Sequence, residues 1–188
     1  MKNELRAIQT FFSHHMRNCT AMIAASVTLL SYRMTGDEQK LLDEVTEASF
    51  LLDLFDAGMN ICYDHVFGAD TINFNDDFDT VAFVNHFLDQ CKTIMSERDI
   101  ALDFHVTNPS VINGNSHELR VIINLIIYEI MIQASRSLVI NLDKNLLTLS
   151  IDAYFSAPEV WATLKDVCKK RGIAFSYDNR GCILEFGV

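Results

Sequence analysis

The feature that most constrains the fold is a long apolar seam of heptad type in the first third of the chain. Residues 41–66 carry apolar side chains at alternating spacings of four and three. These are Leu41, Val45, Ala48, Leu52, Phe55, Met59, Cys62 and Val66. Such a pattern predicts a helix that packs along its length against another helix. Residues 1–66 contain no proline, so helix can continue through them.

A less regular seam of the same kind precedes it. Its two positions are filled by Leu5, Phe12, Cys19 and Ser26 and by Ile8, His15, Met22 and Leu29. Gly36 can end the first helix, and Thr35 or Asp37 can cap the second. The sequence thus predicts an antiparallel helical hairpin. Two helices with one apolar stripe each do not enclose a core, so we expect a second copy to complete a homodimeric four-helix bundle.

The remainder of the chain shows mixed helical and strand patterns. Helices are predicted over residues 81–98, 117–134 and 158–172, and strands over residues 100–106, 138–142, 146–151, 173–177 and 182–186. The pair Asn108-Pro109 breaks the first strand. This order indicates a layer of helices on one mixed sheet. The fold class is predicted to be α+β, with a hairpin domain over residues 1–68 and a second domain over residues 69–188.

Composition excludes several functional classes. The net charge of −10 argues against a nucleic-acid binder, which needs a basic surface. Five cysteines are scattered without a Cys-x-x-Cys pair, which is typical of reduced thiols and not of a zinc site. The uncharged run between Arg17 and Arg33 is too short and too polar to span a bilayer. We therefore expect a cytoplasmic protein without a secretory leader, a membrane contact or a metal site.

Two adjacent histidines lie near the middle of the first predicted helix. His15 falls on the seam, whereas His14 points about 100° away, beside Ala7 and Ala21. An exposed neutral imidazole is a good nucleophile toward phosphorus, because its lone pair needs no deprotonation at neutral pH. On spacing alone, two ordinary bundle histidines are the more common interpretation. His15 is expected to belong to the core or to a polar network.

The segment around these histidines resembles a motif of sensor histidine kinases. Residues 13–18, Ser-His-His-Met-Arg-Asn, are similar to the H-box that carries the phosphoacceptor histidine of that family. Residues 111–123 resemble the stretch that leads into the family's N-box helix, and residues 95–102 resemble the start of the same domain. The resemblance spans nearly the whole chain. It implies a dimerisation and phosphotransfer hairpin followed by an α/β sandwich ATPase-like domain.

The N-box positions depart from that family. There, asparagines on the N-box helix ligate Mg²⁺ and contact ATP. An ungapped alignment from Gly114 places Leu125 and Glu129 at these positions. An alignment from Asn124 keeps one asparagine but places Tyr128 at the second position. Neither alignment retains the asparagine pair.

Other departures affect the residues that would bind the phosphates of ATP and the residue that would act as the catalytic base. Asp152 stands where the family has an adenine-reading aspartate, but the glycines that should follow it are absent. Backbone amides need such glycines to approach phosphates closely. His15 replaces the acidic general base beside the phosphoacceptor, and Cys19 replaces a helix-kinking proline. The resemblance therefore implies a degenerate ATPase-like domain without ATP, without any other cofactor and without kinase activity.

The remaining architecture resembles the histidine phosphotransferases of the ChpT type, which relay phosphoryl groups between receiver-domain aspartates. The resemblance implies His14 as the phosphoacceptor, Arg17 as a charge that offsets the phosphoryl group, and Asn18 as a residue that orients this group or a water. The implied partners are response-regulator receiver domains. Two alternatives stay open: a non-enzymatic receiver-binding scaffold, and a receiver phosphatase that uses Asn18. Structural or surface roles are expected for His65, His86, His105 and His117.

Overall fold

The N-terminal third of the chain is a helical hairpin, as predicted. The computed structural model describes residues 2–31, 38–68, 76–109, 111–114 and 116–187. Its first two helices, α1 (Lys2–Ser31) and α2 (Glu38–Phe67), pack against each other along their lengths. The turn expected at Gly36, with its cap at Thr35 or Asp37, lies outside the described residues. In the described part of the chain, no helix is both long enough and apolar enough to cross a bilayer.

The second part of the chain places helices against a mixed sheet. The helices are α3 (Thr80–Gln90), α4 (Lys92–Glu97), α5 (Ser116–Met131) and α6 (Val160–Lys170). The strands are β1 (Asp76–Asp79), β2 (Ala101–Pro109), β3 (Val111–Gly114), β4 (Ser137–Lys144), β5 (Leu146–Ile151), β6 (Ile173–Tyr177) and β7 (Gly181–Phe186). Five strands pair in the order β2-β4-β5-β7-β6, in which β2 and β4 are parallel and the other pairs are antiparallel. The predicted α+β class is confirmed.

The helix α5 forms the middle layer of the molecule. It packs on the sheet through β5 and on the hairpin through α2. Its isoleucines have no exposed surface at Ile122, Ile123, Ile126, Ile127 and Ile130. A helix that is apolar all round is one that is buried on both sides. This position explains why the sequence of α5 is so much more apolar than that of an ordinary surface helix.

The predicted seam lies on the buried side of the hairpin. The buried seam residues are Ile8, Phe12, Cys19 and Ser26 of α1 and Leu41, Ala48, Phe55 and Cys62 of α2. Leu29, at the end of the first seam, is 41% exposed. The buried stripe of α2 is wider than the seam, because it also includes Leu51, Leu54, Gly58 and Ile61. A stripe of this width indicates that α2 contacts more than one neighbour.

The additional neighbours of the hairpin are α4, α5 and α6 of the same chain. Gly58 of α2 lies against Leu125 of α5 and Phe12 of α1. A Cβ atom at Gly58 would lie 2.4 Å from Leu125 Cδ1 and 3.0 Å from Phe12 Cε1. The argument that the two helices need a second copy to bury their stripes is therefore incomplete, since α5 supplies a third helix. A homodimer stays a prediction.

The single helix predicted over residues 81–98 is wrong, because it is broken at Cys91. There the backbone leaves helical geometry (φ −102°, ψ 15°) and its N–H is shared between two carbonyls of the preceding turn. After the break, α4 packs on α2, where Glu47 accepts a hydrogen bond from the Ile94 N–H at 3.3 Å. Burial raises the pKa of this carboxyl to about 7. Local periodicity contains no signal for a cap that a distant helix supplies.

The sequence prediction also lacks the small antiparallel sheet formed by β1 and β3. Phe78 and Ile112 face each other in it and are both buried. Each strand has four residues, which is too short for alternation to identify it. In addition, β2 continues through the pair Asn108-Pro109, where Asn108 takes a φ of 47° and the register against β4 shifts. The predicted break is therefore an irregularity within a longer strand.

Candidate functional site

His14 lies on the exposed side of α1, near the middle of the helix. Its Nε2 is 3.3 Å from the side-chain nitrogen Nδ2 of Asn18, one turn further on. With the ring proton on Nδ1, the unprotonated Nε2 accepts a hydrogen bond from the Asn18 amide. The structure thus brings His14 and Asn18 together, as their spacing predicts. It presents the imidazole of His14 to solvent.

Arg17 is exposed on the same turn of α1. Within the described ranges, no hydrogen bond or ion pair joins its guanidinium to His14. Residues three apart on a helix are neighbours, so this permanent positive charge lies within reach of an anionic group held at His14. Of the two predicted accessory residues, Asn18 makes a polar contact with His14, and Arg17 makes none with it among the described residues.

His15 points into the molecule, as expected for a network histidine. Its Nε2 lies 3.0 Å from Oε1 of Glu129 on α5, and the exposed fractions of the two side chains are 11% and 4%. The imidazole stacks on the ring of Phe55 with a centroid distance of 4.7 Å and an interplanar angle of 25°. It also packs against Phe11 at 4.6 Å and Tyr128 at 5.8 Å. These contacts hold one side of α1 against α2 and α5.

A groove lies between the first turns of α1 and the segment that leads into α6. Its volume is about 730 Å³. The lining residues include Asn3, Arg6, Thr10, Phe11, Pro158 and Glu159. No sequence signal identified it, because its two walls are far apart along the chain and meet only when α6 packs on α1.

Asp152, the aspartate that the resemblance relates to adenine binding, has a structural role here. Its carboxylate accepts hydrogen bonds from the backbone N–H groups of residues 135–137 at 3.0 to 3.2 Å. These bonds, chiefly the one from Arg136, hold its pKa below the usual range. Both oxygens are therefore engaged with the turn that starts β4.

The pKa of Asp152 predicts how acid affects this turn. A carboxyl with a lowered pKa in the folded state stabilises the fold at neutral pH, and this stabilisation is lost as the pH falls through that pKa. We expect Asp152→Asn to melt at a lower temperature than the wild type at neutral pH. The difference should shrink as the pH falls below about 4, the ordinary aspartate pKa. Thermal unfolding over a pH series measures it.

The matched control for that series is Asp53→Asn, which changes an exposed carboxylate on α2. It should melt like the wild type throughout. A melting difference for Asp152→Asn that stays constant into the acid range would show that the carboxylate charge is not what holds the turn.

Side-chain packing fills the segment after Asp152, where the kinase family has glycines. Phe155 is buried and its ring lies 4.8 Å from that of Trp161. The Ser156 N–H donates to Gln133 Oε1 at 2.9 Å, and Gln133 Nε2 donates back to the Ser156 carbonyl at 3.3 Å. A bulky ring and a reciprocal hydrogen-bond pair thus occupy this segment.

The positions that the alignments relate to the N-box are also engaged in packing. Leu125 lies against α2, Glu129 contacts α1, and Tyr128 packs edge-on against α2. Asn124 is buried, and its Oδ1 has no hydrogen-bond partner within the described ranges. In the part of the chain that the structure describes, no three or more His, Cys, Asp or Glu side chains are grouped to hold a metal ion.

The remaining histidines do not join the site. His86 and His117 are exposed, and His105 pairs with Asp103 at 2.9 Å on the outer strand β2. His65 is partly buried near the end of α2, and burial lowers its pKa. These positions agree with the structural and surface roles expected from the sequence.

Solved structures with this architecture include histidine kinases. The histidine kinase AdeS of Acinetobacter baumannii matches with a TM-score of 0.58 over 92% of this chain and 96% of its own, at 13% identity. The cytoplasmic segment of the histidine kinase QseC matches with a TM-score of 0.59 over 71% of this chain and 93% of its own, at 6% identity. This chain has a histidine-kinase fold. Full-length ShkA in complex with AMPPNP matches with a TM-score of 0.52 over 95% of this chain and 44% of its own, at 11% identity.

The sequence itself gives no such match. No family model matches it, and neither does any curated protein. At identities this low, structural likeness establishes the fold and not the activity, because one fold carries different chemistries. The function has to be argued from the residues of the site.

Proposed function

We propose that this chain is a histidine phosphotransferase of the ChpT type, which relays phosphoryl groups between the receiver-domain aspartates of response regulators. The observation that carries the proposal is the exposed imidazole of His14, in contact with Asn18, on the first helix of a kinase-type hairpin. His15 does not compete as acceptor, because its ring is enclosed between Phe55 and Glu129.

The transfer begins with attack by Nε2 of His14 on the phosphorus of an aspartyl phosphate. The N–P bond forms while the P–O bond to the aspartate breaks, and the electron pair leaves with the carboxylate oxygen. The proton on Nδ1 is released to water afterwards, so the attack needs no general base. The reverse sequence passes the phosphoryl group to the carboxylate of a second receiver domain.

Asn18 and Arg17 assist this step. The Asn18 amide, which rests on Nε2 in the free protein, moves to a phosphoryl oxygen when Nε2 is used for bonding. The Arg17 guanidinium offsets the negative charge of the phosphohistidine. Substitution of either residue should slow the transfer without removing the acceptor.

The ATPase-like domain is proposed to be degenerate. The carboxylate of Asp152 is engaged by backbone amides, and the side chain of Phe155 fills the segment that follows. The residues present therefore do not fit a nucleotide. We expect calorimetric titration with ATP, with and without Mg²⁺, to show no binding. A saturable heat of binding, or label taken up from ATP, would indicate that the chain is an ATP-dependent kinase.

The proposal includes the organisation of the chain. Residues 1–68 form the dimerisation and phosphotransfer hairpin, and residues 69–188 form the ATPase-like domain. The apolar side chains exposed near the hairpin turn, Val27, Leu29 and Leu42, are surface that a second copy covers in the proposed homodimer. Sedimentation at micromolar concentration tests this assembly. The five free cysteines fit the reducing cytoplasm.

The central test is labelling by a receiver domain. The protein is incubated with receiver domains that carry radiolabelled phosphate, and the product is examined for acid-labile, base-stable label at His14. Label at His14 supports the relay. Binding without label supports the scaffold alternative, and release of inorganic phosphate without a labelled intermediate supports the phosphatase alternative.

A further inference from the structure

The groove between α1 and α6 opens on the face of α1 that carries His14. Its lining residues on α1 include Asn3, Ala7 and Thr10. Together with His14, they follow one another at spacings of four, three and four, which keeps residues on one face of a helix. Thr10 precedes His14 by one turn, a rise of about 6 Å along the helix axis. The groove therefore ends about one helical turn from the candidate acceptor.

Both walls of the groove are fixed by buried neighbours. On α1, Ile8 and Phe12 have no exposed surface, and the ring of Phe11, which lines the groove, packs on that of Phe12 at a centroid distance of 4.9 Å. On the other wall, Val160 has no exposed surface either. A partner can bind such a groove without first ordering its walls, which lowers the entropic cost of binding.

Two polar side chains of the groove are not used by the protein's own fold. The hydroxyls of Thr20 and Thr28, further along α1, donate to the carbonyls four residues earlier at 2.8 and 2.7 Å. Within the part of the chain that the structure describes, the hydroxyl of Thr10 makes no such bond and the guanidinium of Arg6 has no ion pair. Both residues are exposed. Their polar groups are available to a partner.

The charges of the hairpin are divided unequally between its two helices. The helix α1 contains three basic side chains and one acidic one, whereas α2 contains seven acidic side chains and one lysine. On α1, Arg6 lies two turns before His14, about 12 Å along the axis, and Arg17 lies three residues after it. Within a protein of net charge −10, the candidate acceptor thus has an arginine on either side. This arrangement is complementary to an anionic partner.

We propose that the groove between α1 and α6 is the docking surface for the phosphorylated receiver domain, an inference that rests on the proposed function of His14. The aspartyl phosphate of the receiver reaches His14, while Arg6 pairs with an acidic side chain of the receiver about 12 Å from the phosphoryl group. Thr10 donates a hydrogen bond to the receiver between these two points. Arg6 and Thr10 recognise the partner and do not touch the transferred group.

This docking surface gives the ATPase-like domain a role that needs no nucleotide. The second wall of the groove, formed by Pro158, Glu159 and Val160, comes from that domain. A receiver in the groove therefore contacts both parts of the chain. The exposed carboxylate of Glu159 stands on the wall opposite Arg6, so the two walls differ in charge. This difference fixes the orientation in which an acidic receiver face can bind.

Charge reversal in the full chain tests the pairing by Arg6. In Arg6→Glu, the KM for the phosphorylated receiver domain should rise about tenfold, because repulsion replaces an attractive charge pair at the interface. The kcat should not change, because Arg6 acts in docking and not in transfer. Arg6→Lys keeps the positive charge and should restore most of the affinity. Added salt should weaken receiver binding to the wild type more than to Arg6→Glu.

The matched control for charge is Lys92→Glu, which makes the same reversal at an exposed position of α4. This helix packs on α2 at Glu47, near the turn of the hairpin and away from the groove. The control should have the KM of the wild type. An equal rise of KM in Arg6→Glu and Lys92→Glu would show that only the overall charge of the protein matters, and would overturn the docking surface.

Steric blocking tests the groove itself. Thr10→Phe places a ring in the groove, whereas Thr20→Phe places the same ring at an exposed position of α1 beyond His14. Calorimetry should show that the dissociation constant of the receiver domain rises about tenfold in Thr10→Phe, because the ring clashes with the docked partner. Thr20→Phe should bind like the wild type. Unchanged binding in Thr10→Phe, or an equal loss in both variants, would overturn the proposal.

A small phosphoryl donor separates docking from the proposed function. Phosphoramidate needs no docking and should label His14 equally in the wild type, Arg6→Glu and Thr10→Phe. Unequal label would show that the substitutions act on the acceptor, and would overturn the docking surface. If neither receiver domains nor phosphoramidate label His14 in the wild type, the proposed function fails. Calorimetric binding of receiver domains to the variants still decides the docking surface in that case, and absence of binding to the wild type would overturn it.

Discussion

His14→Ala should reduce labelling by a phosphorylated receiver domain to background, while the variant keeps the fold and the oligomeric state of the wild type. The imidazole is the nucleophile, so its removal leaves no atom that can form the N–P bond. The position is exposed and helical, and alanine is the best helix former, so the substitution should not destabilise α1. Acid-labile, base-stable radiolabel is the readout, with circular dichroism and sedimentation to confirm the fold and assembly.

Two histidine variants serve as controls. His86→Ala changes an exposed histidine on α3 and should be labelled like the wild type. His15→Ala should instead lose stability, because its ring is packed between Phe55 and Glu129. Retained label in His14→Ala would disprove the assignment and make His15 the candidate. Absence of label in the wild type, with receiver binding intact, would favour the scaffold.

Gly58→Val should lower the free energy of unfolding by about 2 to 3 kcal/mol, the cost typical of overpacking a close-packed interior. Gly58 lies where α1, α2 and α5 meet. A Cβ atom there would lie 2.4 Å from Leu125 Cδ1, and the buried Leu125 has little room to move. The phenyl ring of Phe12, at 3.0 Å from the same Cβ position, blocks the other side. The valine should therefore push α2 away from α5.

Urea unfolding measures this effect against Ala24→Val, which adds the same branched side chain at an exposed position of α1. That control should cost about 0.5 kcal/mol, which is its helix-propensity term. Equal stability of the two variants would show that α2 does not pack closely on α5. In that case the hairpin would be free to use its whole apolar face for a second copy.

Helix and strand positions could be predicted from the sequence where periodicity is local and long. The seam from Leu41 to Val66 is a regular heptad pattern, and α2 covers the whole of it. Strands β5 and β6 have the predicted bounds because alternation and turn residues define both ends. The break at Cys91 and the four-residue strands β1 and β3 were not predictable. They depend on a cap from Glu47 and on pairing between distant segments.

The candidate site, too, has features that the sequence predicts and features that it does not. Helical geometry alone places Asn18 beside His14 and turns His15 to the other side, because residues four apart share a face and consecutive residues do not. The partner of His15, however, is on α5, and no spacing within either helix identifies Glu129. The role of Asp152 in the turn before β4 is equally invisible in the sequence.

By itself, the sequence determined the helical hairpin, the mixed α+β domain and the exposed position of His14, since each follows from repeats of a few residues and the backbone geometry they favour. Only the tertiary structure decided that α5 covers the hairpin, that Glu129 meets His15 and that Phe155 closes the segment after Asp152. The physical reason is that burial and charge pairing act between surfaces. Which surfaces meet is fixed by how all the elements pack together.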